Sequence, residues 1–199
     1  MQRLAGLILV IGVAMFTYAD LSVFNTFNLY DPELIESNIS GWTFTMLMWG
    51  GGAVLVSAGV TLFAWHAQSL KDDKILKLAT YICTVVAALS ALAWVIISYW
   101  RVVIEPQEIL ASNQTIDTLN LAYYLLTQVA AIVTGFILLR SGYPKWLAFL
   151  VMFLGGFLLV FWIVTGGGPP IANHVVFFLL GIALLVMPSR SPQMMPQLA

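Results

Sequence analysis

Residues 78–100 read LATYICTVVAALSALAWVIISYW, 23 positions without an Asp, Glu, Lys, Arg or His. A helix rises about 1.5 Å per residue, so a run of this length reaches past the roughly 30 Å of hydrocarbon in a bilayer. Charge bounds it on both sides, with Lys77 before it and Arg101 after it. It reads as a helix that crosses a membrane.

Working outward, five more apolar runs follow the same rule: Leu4 to about Phe24, Thr43 to Trp65, Leu119 to Leu139, Trp146 to Val164 and Ile171 to Met187. The last has 17 residues, and about 1.5 Å per residue carries it across only with flanking groups snorkelling. Composition agrees with lipid as the solvent. The chain has 199 residues, 61% of them hydrophobic and 9% charged, with a mean hydropathy of +0.95. A soluble domain carries roughly a quarter charged residues. The expected fold is therefore all-α, a polytopic membrane bundle of six transmembrane helices forming a single unit over residues 1–187. The stretch 188–199, with its three prolines, is expected to be a flexible cytoplasmic tail.

Lysine and arginine orient the bundle, because cytoplasmic loops retain positive charge. With the N-terminus inside, Arg3, Lys71, Lys74, Lys77, Arg140, Lys145 and Arg190 all fall on the cytoplasmic side and only Arg101 falls outside. Both termini are then cytoplasmic, and two longer loops, near 25–42 and 101–118, are external. The sequons Asn38-Ile39-Ser40 and Asn113-Gln114-Thr115 fall in those loops and add little to this reading. A rival reading of the first run is a cleaved signal peptide, with Arg3 as its positive start and Thr17-Tyr18-Ala19 as the cleavage site.

Several function classes are excluded or left without support. A net charge of −1 provides no basic field for nucleic acid. Cys83 is the one cysteine, so neither an intrachain disulfide nor a cysteine metal site can form. His66 and His174 belong to opposite ends of the predicted bundle and cannot both ligate one haem iron. No HExxH, GxSxG or phosphate-loop pattern occurs. The expectation is therefore no catalytic residue, no metal and no cofactor. The central parts of the six runs also lack ionisable residues, which cost about 2.5–3.5 kcal/mol at mid-membrane and usually mark ion-coupled transport.

Polar residues gather instead near the predicted outer boundary. Asp20, Arg101, Glu105, Asp117, Tyr123, Asn173 and His174 form the candidate ligand site, with Arg101 expected to pair with Asp20 or Asp117. Their alternative role is that of interface residues: an aromatic belt, a snorkelling arginine and a capping aspartate. Gly50, Gly51 and Gly52 in the second run, and Gly155 and Gly156 in the fifth, are candidate helix-packing positions, since small residues let backbones approach. The same two runs share a pattern, Met48-Trp49-Gly50-Gly51-Gly52 against Met152-Phe153-Leu154-Gly155-Gly156, which would also suit an inverted repeat.

Arg140-Ser141-Gly142-Tyr143-Pro144-Lys145-Trp146-Leu147 and Gly181-Ile182-Ala183-Leu184-Leu185 resemble a family of bacterial membrane proteins of about this length, a domain of unknown function with six predicted helices. The resemblance covers the C-terminal third. It implies a bacterial inner membrane and carries no active residues. The leading functional expectation is a non-enzymatic multi-pass protein that packs against other membrane proteins, forms a homo-oligomer or holds a small apolar ligand. The alternatives are a small-solute transporter or channel using the outer polar cluster, and a membrane enzyme acting through His174 and a carboxylate.

Overall fold

The computed structural model describes residues 1–109, 113–166 and 170–188, the side chains of 113–117 excepted. In chain order the elements are α1 (Gln2–Asn25), α2 (Pro32–Ser37), α3 (Ile39–Ser69), α4 (Lys74–Val103), α5 (Pro106–Ile109), α6 (Asn113–Arg140), α7 (Lys145–Thr165), a 3₁₀ turn (Pro170–His174) and α8 (Val175–Val186). There is no strand among the described residues. Five helices are long and apolar enough to cross a membrane: α1, α3, α4, the stretch Thr118–Arg140 of α6, and α7.

Two helices outrun their apolar cores. The helices α3 and α4 have 31 and 30 residues, because each starts at a capping side chain upstream of the greasy stretch. Asn38 Oδ1 accepts from the Gly41 amide at 3.1 Å, and Asp73 Oδ1 accepts from Ile75 and Leu76 at 2.9 and 3.3 Å. Such caps satisfy amides that have no partner within the helix. At its far end α7 stops on Gly166 at φ 70°, a left-handed conformation that glycine adopts without a Cβ clash.

The sixth apolar run departs from the expected single helix. Its first four residues, with Pro170 before them, form the five-residue 3₁₀ turn and α8 has only 12; at about 2.0 and 1.5 Å per residue the two together reach roughly 28 Å. Pro170 opens the turn, its fixed φ suiting a first helical position. The turn therefore brings Asn173 and His174 into the bundle interior, where both are buried.

The long helices form an arc in the spatial order α8, α1, α3, α4, α6, α7, and its two ends, α7 and α8, touch only lightly. Glycines set the closest crossings. A Cβ on Gly12 would sit 2.8 Å from the Val56 amide nitrogen, and one on Gly52 would sit 2.8 Å from both the Gly12 carbonyl and the Phe16 nitrogen. The helices α1 and α8 meet the same way at Gly6 and Gly181. Contacts this tight give dispersion attraction, the chief source of helix association where lipid is as apolar as the side chains.

The core divides into two clusters. One is aliphatic, around Leu9, Val60, Phe63, Leu147 and Leu180. The other is aromatic, around Phe16, Trp42, Trp49, Trp94, Tyr123 and Trp162. The aliphatic end is tied together by Gln2, whose Nε2 donates to the Leu184 carbonyl at 3.1 Å while its Oε1 accepts from Tyr143 Oη at 3.0 Å. The start of α1 and the end of α8 thus share one end of the bundle. Arg140 joins Asp73 there at 2.6 Å. The tail over 189–199 lies outside the described residues.

Desolvation works against the charged form of Asp73, yet the Leu76 and Ile75 amides and the Arg140 guanidinium outweigh it and hold the carboxyl below the usual carboxylate range. A depressed folded-state value stabilises the fold above the unfolded value of about 3.9, and the contribution is lost as pH falls through the folded one. Asp73→Asn keeps a capping oxygen and removes the charge. Thermal unfolding in detergent is expected to separate wild type from the variant slightly near neutrality, with the gap closing below about pH 3.9.

Candidate functional site

The aromatic end of the bundle holds the only two charged side chains that the described helices bury there, Asp20 and Arg101. Asp20 lies late in α1, 2% exposed, with Oδ2 accepting from the Ile171 amide at 3.2 Å. That bond anchors the 3₁₀ turn to α1. Arg101 lies in the last turn of α4, 4% exposed, where the helix dipole favours a cation. Its carbonyl accepts from Trp42 Nε1 at 2.7 Å. Its guanidinium carbon stands 4.7 Å from the Tyr30 ring centre and 5.1 Å from that of Trp49, an arrangement in which the negative faces of both rings stabilise the charge.

The chain bends sharply to deliver Tyr30. Asn28, Leu29 and Tyr30 have φ values of 40°, 56° and 77°, three consecutive left-handed residues none of which is glycine. Conformations like these cost of order 1–3 kcal/mol each and persist where the surroundings over-determine them. Here the turn precedes α2 and swings Tyr30 back over Arg101. The segment beyond it is held against the end of the bundle by buried Ile35 and Ile109, and by Gln107 Nε2 donating to Glu36 Oε1 at 2.6 Å.

Asp20 and Arg101 line one cavity of about 160 Å³, together with Tyr30, Trp49, Trp94 and Asn120. Its polar groups are incompletely satisfied. Arg101 Nε and Nη1, Trp49 Nε1, Trp94 Nε1, Asp20 Oδ1 and Asn120 Oδ1 are buried atoms without a hydrogen-bond partner. A buried donor or acceptor left unpaired costs about 1–3 kcal/mol, more when charged, and the residues that carry these six all line this one cavity. Arg101 and Asp20 do not pair directly: among the described residues the one ion pair within 4.0 Å is Arg140 with Asp73.

The remaining candidates divide. Tyr123, Asn173 and His174 form a second buried polar group deeper in the bundle. Tyr123 Oη and His174 Nε2 are 2.7 Å apart. Asn173 Oδ1 accepts from Trp162 Nε1 at 2.9 Å and from Gln128 Nε2. His174 also lines a cavity of about 20 Å³ with Val56, Ala87, Ser90 and Ala130, which come from the middle of their helices. The 3₁₀ turn thus carries His174 further in than its place at the start of the sixth run suggests. Its hydrogen-bond partner is the Tyr123 phenol.

Glu105 is exposed, outside the cavity, because the chain leaves the helix at Ile104 in an extended conformation and the carboxylate follows it outward. The Asp117 side chain lies outside the described residues. The expected aromatic belt is only partly one: Tyr99 is 67% exposed, whereas Trp49, Trp94, Tyr123 and Trp162 are interior. Trp49, Trp94 and Tyr30 were not among the sequence candidates. Trp94 shares one buried face of α4 with Ser90, Ser98 and Arg101, but its tryptophan ring reads equally well as a lipid-facing one in the sequence.

The glycine candidates divide as well. Gly52 and Gly155 sit at tight crossings, the latter with Ala131 Cβ 3.1 Å from a built Cβ. Gly50 is in ordinary contact with Ser98 and Gly51 meets only the mobile end of Met15. A Cβ on Gly156 would meet nothing within 4 Å among the described residues. Among the described residues no three His, Cys, Asp or Glu side chains form a group that would hold a metal ion. Compared with known proteins, the chain matches no family model, no curated protein and no solved structure.

Proposed function

We propose that this protein is a six-span membrane protein with both termini cytoplasmic, in a bacterial inner membrane, that binds a small polar ligand in the cavity at its external, aromatic end. The observation that carries this reading is Arg101: buried, flanked by Tyr30 and Trp49, and with Nε and Nη1 unpartnered on a cavity of about 160 Å³. Drug-sized ligands occupy roughly 300–1,000 Å³, so the ligand is small. The six-span topology draws support from the shared end of Gln2 and Leu184, since an even number of crossings returns the chain to its starting side. The seven basic residues assigned to the inside by charge count point the same way.

Native mass spectrometry of the gently extracted protein tests the reading. A small-molecule adduct is expected on the wild type and absent from Arg101→Ala, with both proteins monodisperse on size exclusion. An adduct undiminished in Arg101→Ala, or a wild type with no adduct in any mild detergent, would remove it.

A second reading, packing against another membrane component, is favoured by α7. Phe149, Phe153, Phe157, Val160 and Val164 are exposed along it, and Gly156 is open. The same spectra decide it: a protein partner retained at fixed stoichiometry supports packing, and a solitary chain refutes it.

A further inference from the structure

We infer that the ligand of the aromatic-end cavity is a compact zwitterion, an oxyanion held by Arg101 with the indole N–H groups of Trp49 and Trp94, and an ammonium group directed to Asp20. This deepens the binding reading above and rests on it.

The unpartnered atoms supply the reasoning. On the donor side are Arg101 Nε and Nη1, Trp49 Nε1 and Trp94 Nε1. The two guanidinium donors lie on different edges of one planar, permanently charged group, so each can meet an oxyanion or its neighbour in a direction that a lysine cannot reproduce. On the acceptor side are Asp20 Oδ1 and Asn120 Oδ1. Asp20 is a poor neighbour for a plain anion, because both are negative and the walls around them are aromatic and of low polarity. A ligand with both charges satisfies each pole, and the counter-charge that each of its ends meets offsets the cost of taking that end out of water. A neutral sugar or an apolar molecule would leave the guanidinium and the carboxylate with no nearer counter-charge than each other across the cavity.

Free amino-acid-type zwitterions and the phosphate-amine headgroup of a phospholipid share this chemistry. The probes separate them. Glycine represents the free ligand, glycerophosphoethanolamine the headgroup, and acetate and methylammonium the two isolated charges. Binding to the full-length protein in detergent, followed by calorimetry and thermal shift, is expected to favour one zwitterion over acetate and over methylammonium by about tenfold or more, as sites built around a polar group reject the analogue lacking it. Whichever zwitterion binds identifies the source.

Two variants check the poles. Arg101→Lys keeps the charge and loses the planar donor set, and should weaken zwitterion binding by about tenfold. Asp20→Asn keeps an acceptor for the Ile171 amide, so the fold is retained, and should abolish the preference of the zwitterion over acetate. Equal binding of acetate and both zwitterions, or a preference that survives Asp20→Asn in a monodisperse protein, overturns the inference. If native spectra show a retained ligand that carries no oxyanion, this inference fails and the binding reading stands. If no adduct is found and no probe binds, both fail.

Discussion

Gly52→Leu is expected to prevent recovery of a monodisperse bundle, or to destabilise it by at least about 3 kcal/mol, the upper end of the range for inserting bulk into a packed core. Its Cβ would lie 2.8 Å from two backbone atoms of α1, the Gly12 carbonyl and the Phe16 nitrogen. Backbone cannot change rotamer, so the whole α1–α3 crossing would have to open. That crossing also positions Phe16 against Trp49, 5.9 Å between ring centres, and the damage would reach the aromatic end. Gly156→Leu is the matched control. Nothing lies within 4 Å of its Cβ position, so it should change stability by no more than about 0.5 kcal/mol. Gly51→Leu should fall between the two, because the end of the Met15 side chain can move aside. Melting temperature and size exclusion in one detergent compare all three. Equal damage from Gly52→Leu and Gly156→Leu would contradict the packing described here.

Trp94→Ala is expected to cost about 3–5 kcal/mol of stability and to open the cavity beside Arg101. Trp94 is fully buried and its ring lies 5.3 Å from Phe16, 5.0 Å from Trp49 and 4.3 Å from Tyr123. It therefore joins α4 to α1, α3 and α6 at one point, and aromatic pairs of this kind contribute about 0.5–1.5 kcal/mol beyond their buried area. Trp94→Phe keeps a ring in those contacts and loses the indole N–H. It should recover most of the stability while lowering affinity for the zwitterionic probe. Thermal unfolding and calorimetry on the pair separate the packing role of the ring from the binding role of its nitrogen. A stable Trp94→Ala protein would show that the aromatic cluster does not hold these helices together.

The helices and their approximate limits were legible because length and charge spacing are one-dimensional properties. Lys77 and Arg101 bracket the third run in the chain as in the structure, and the capping residues Asn38 and Asp73 moved helix starts by only a few residues. The sixth run is helical throughout, but in two kinds of helix. Pro170 begins a 3₁₀ turn, and hydropathy does not distinguish that turn from the first turn of an α-helix. Within the candidate site, Asp20 and Arg101 were legible as rare charges at the edges of apolar runs. Trp49 and Trp94 were not, since tryptophan at a bilayer boundary is equally at home facing lipid. Glu105 seemed as good a candidate as Arg101, and only the path of the chain after Val103 separates them.

What the residues alone determine is the material, long apolar runs with little charge that are compatible with a membrane: such a run is helical where it meets hydrocarbon, because every backbone amide and carbonyl there needs a partner within the segment. Which faces meet is another matter. In water the buried face of a helix is greasier than the exposed one, and the periodicity can be read; in lipid both faces are apolar and the contrast disappears. Only the tertiary structure decided that Gly52 touches backbone while Gly156 faces outward, and that Asp20 and Arg101, 81 positions apart in the chain, share one cavity. Close packing and hydrogen bonding between helices made those choices, and both depend on shape in three dimensions.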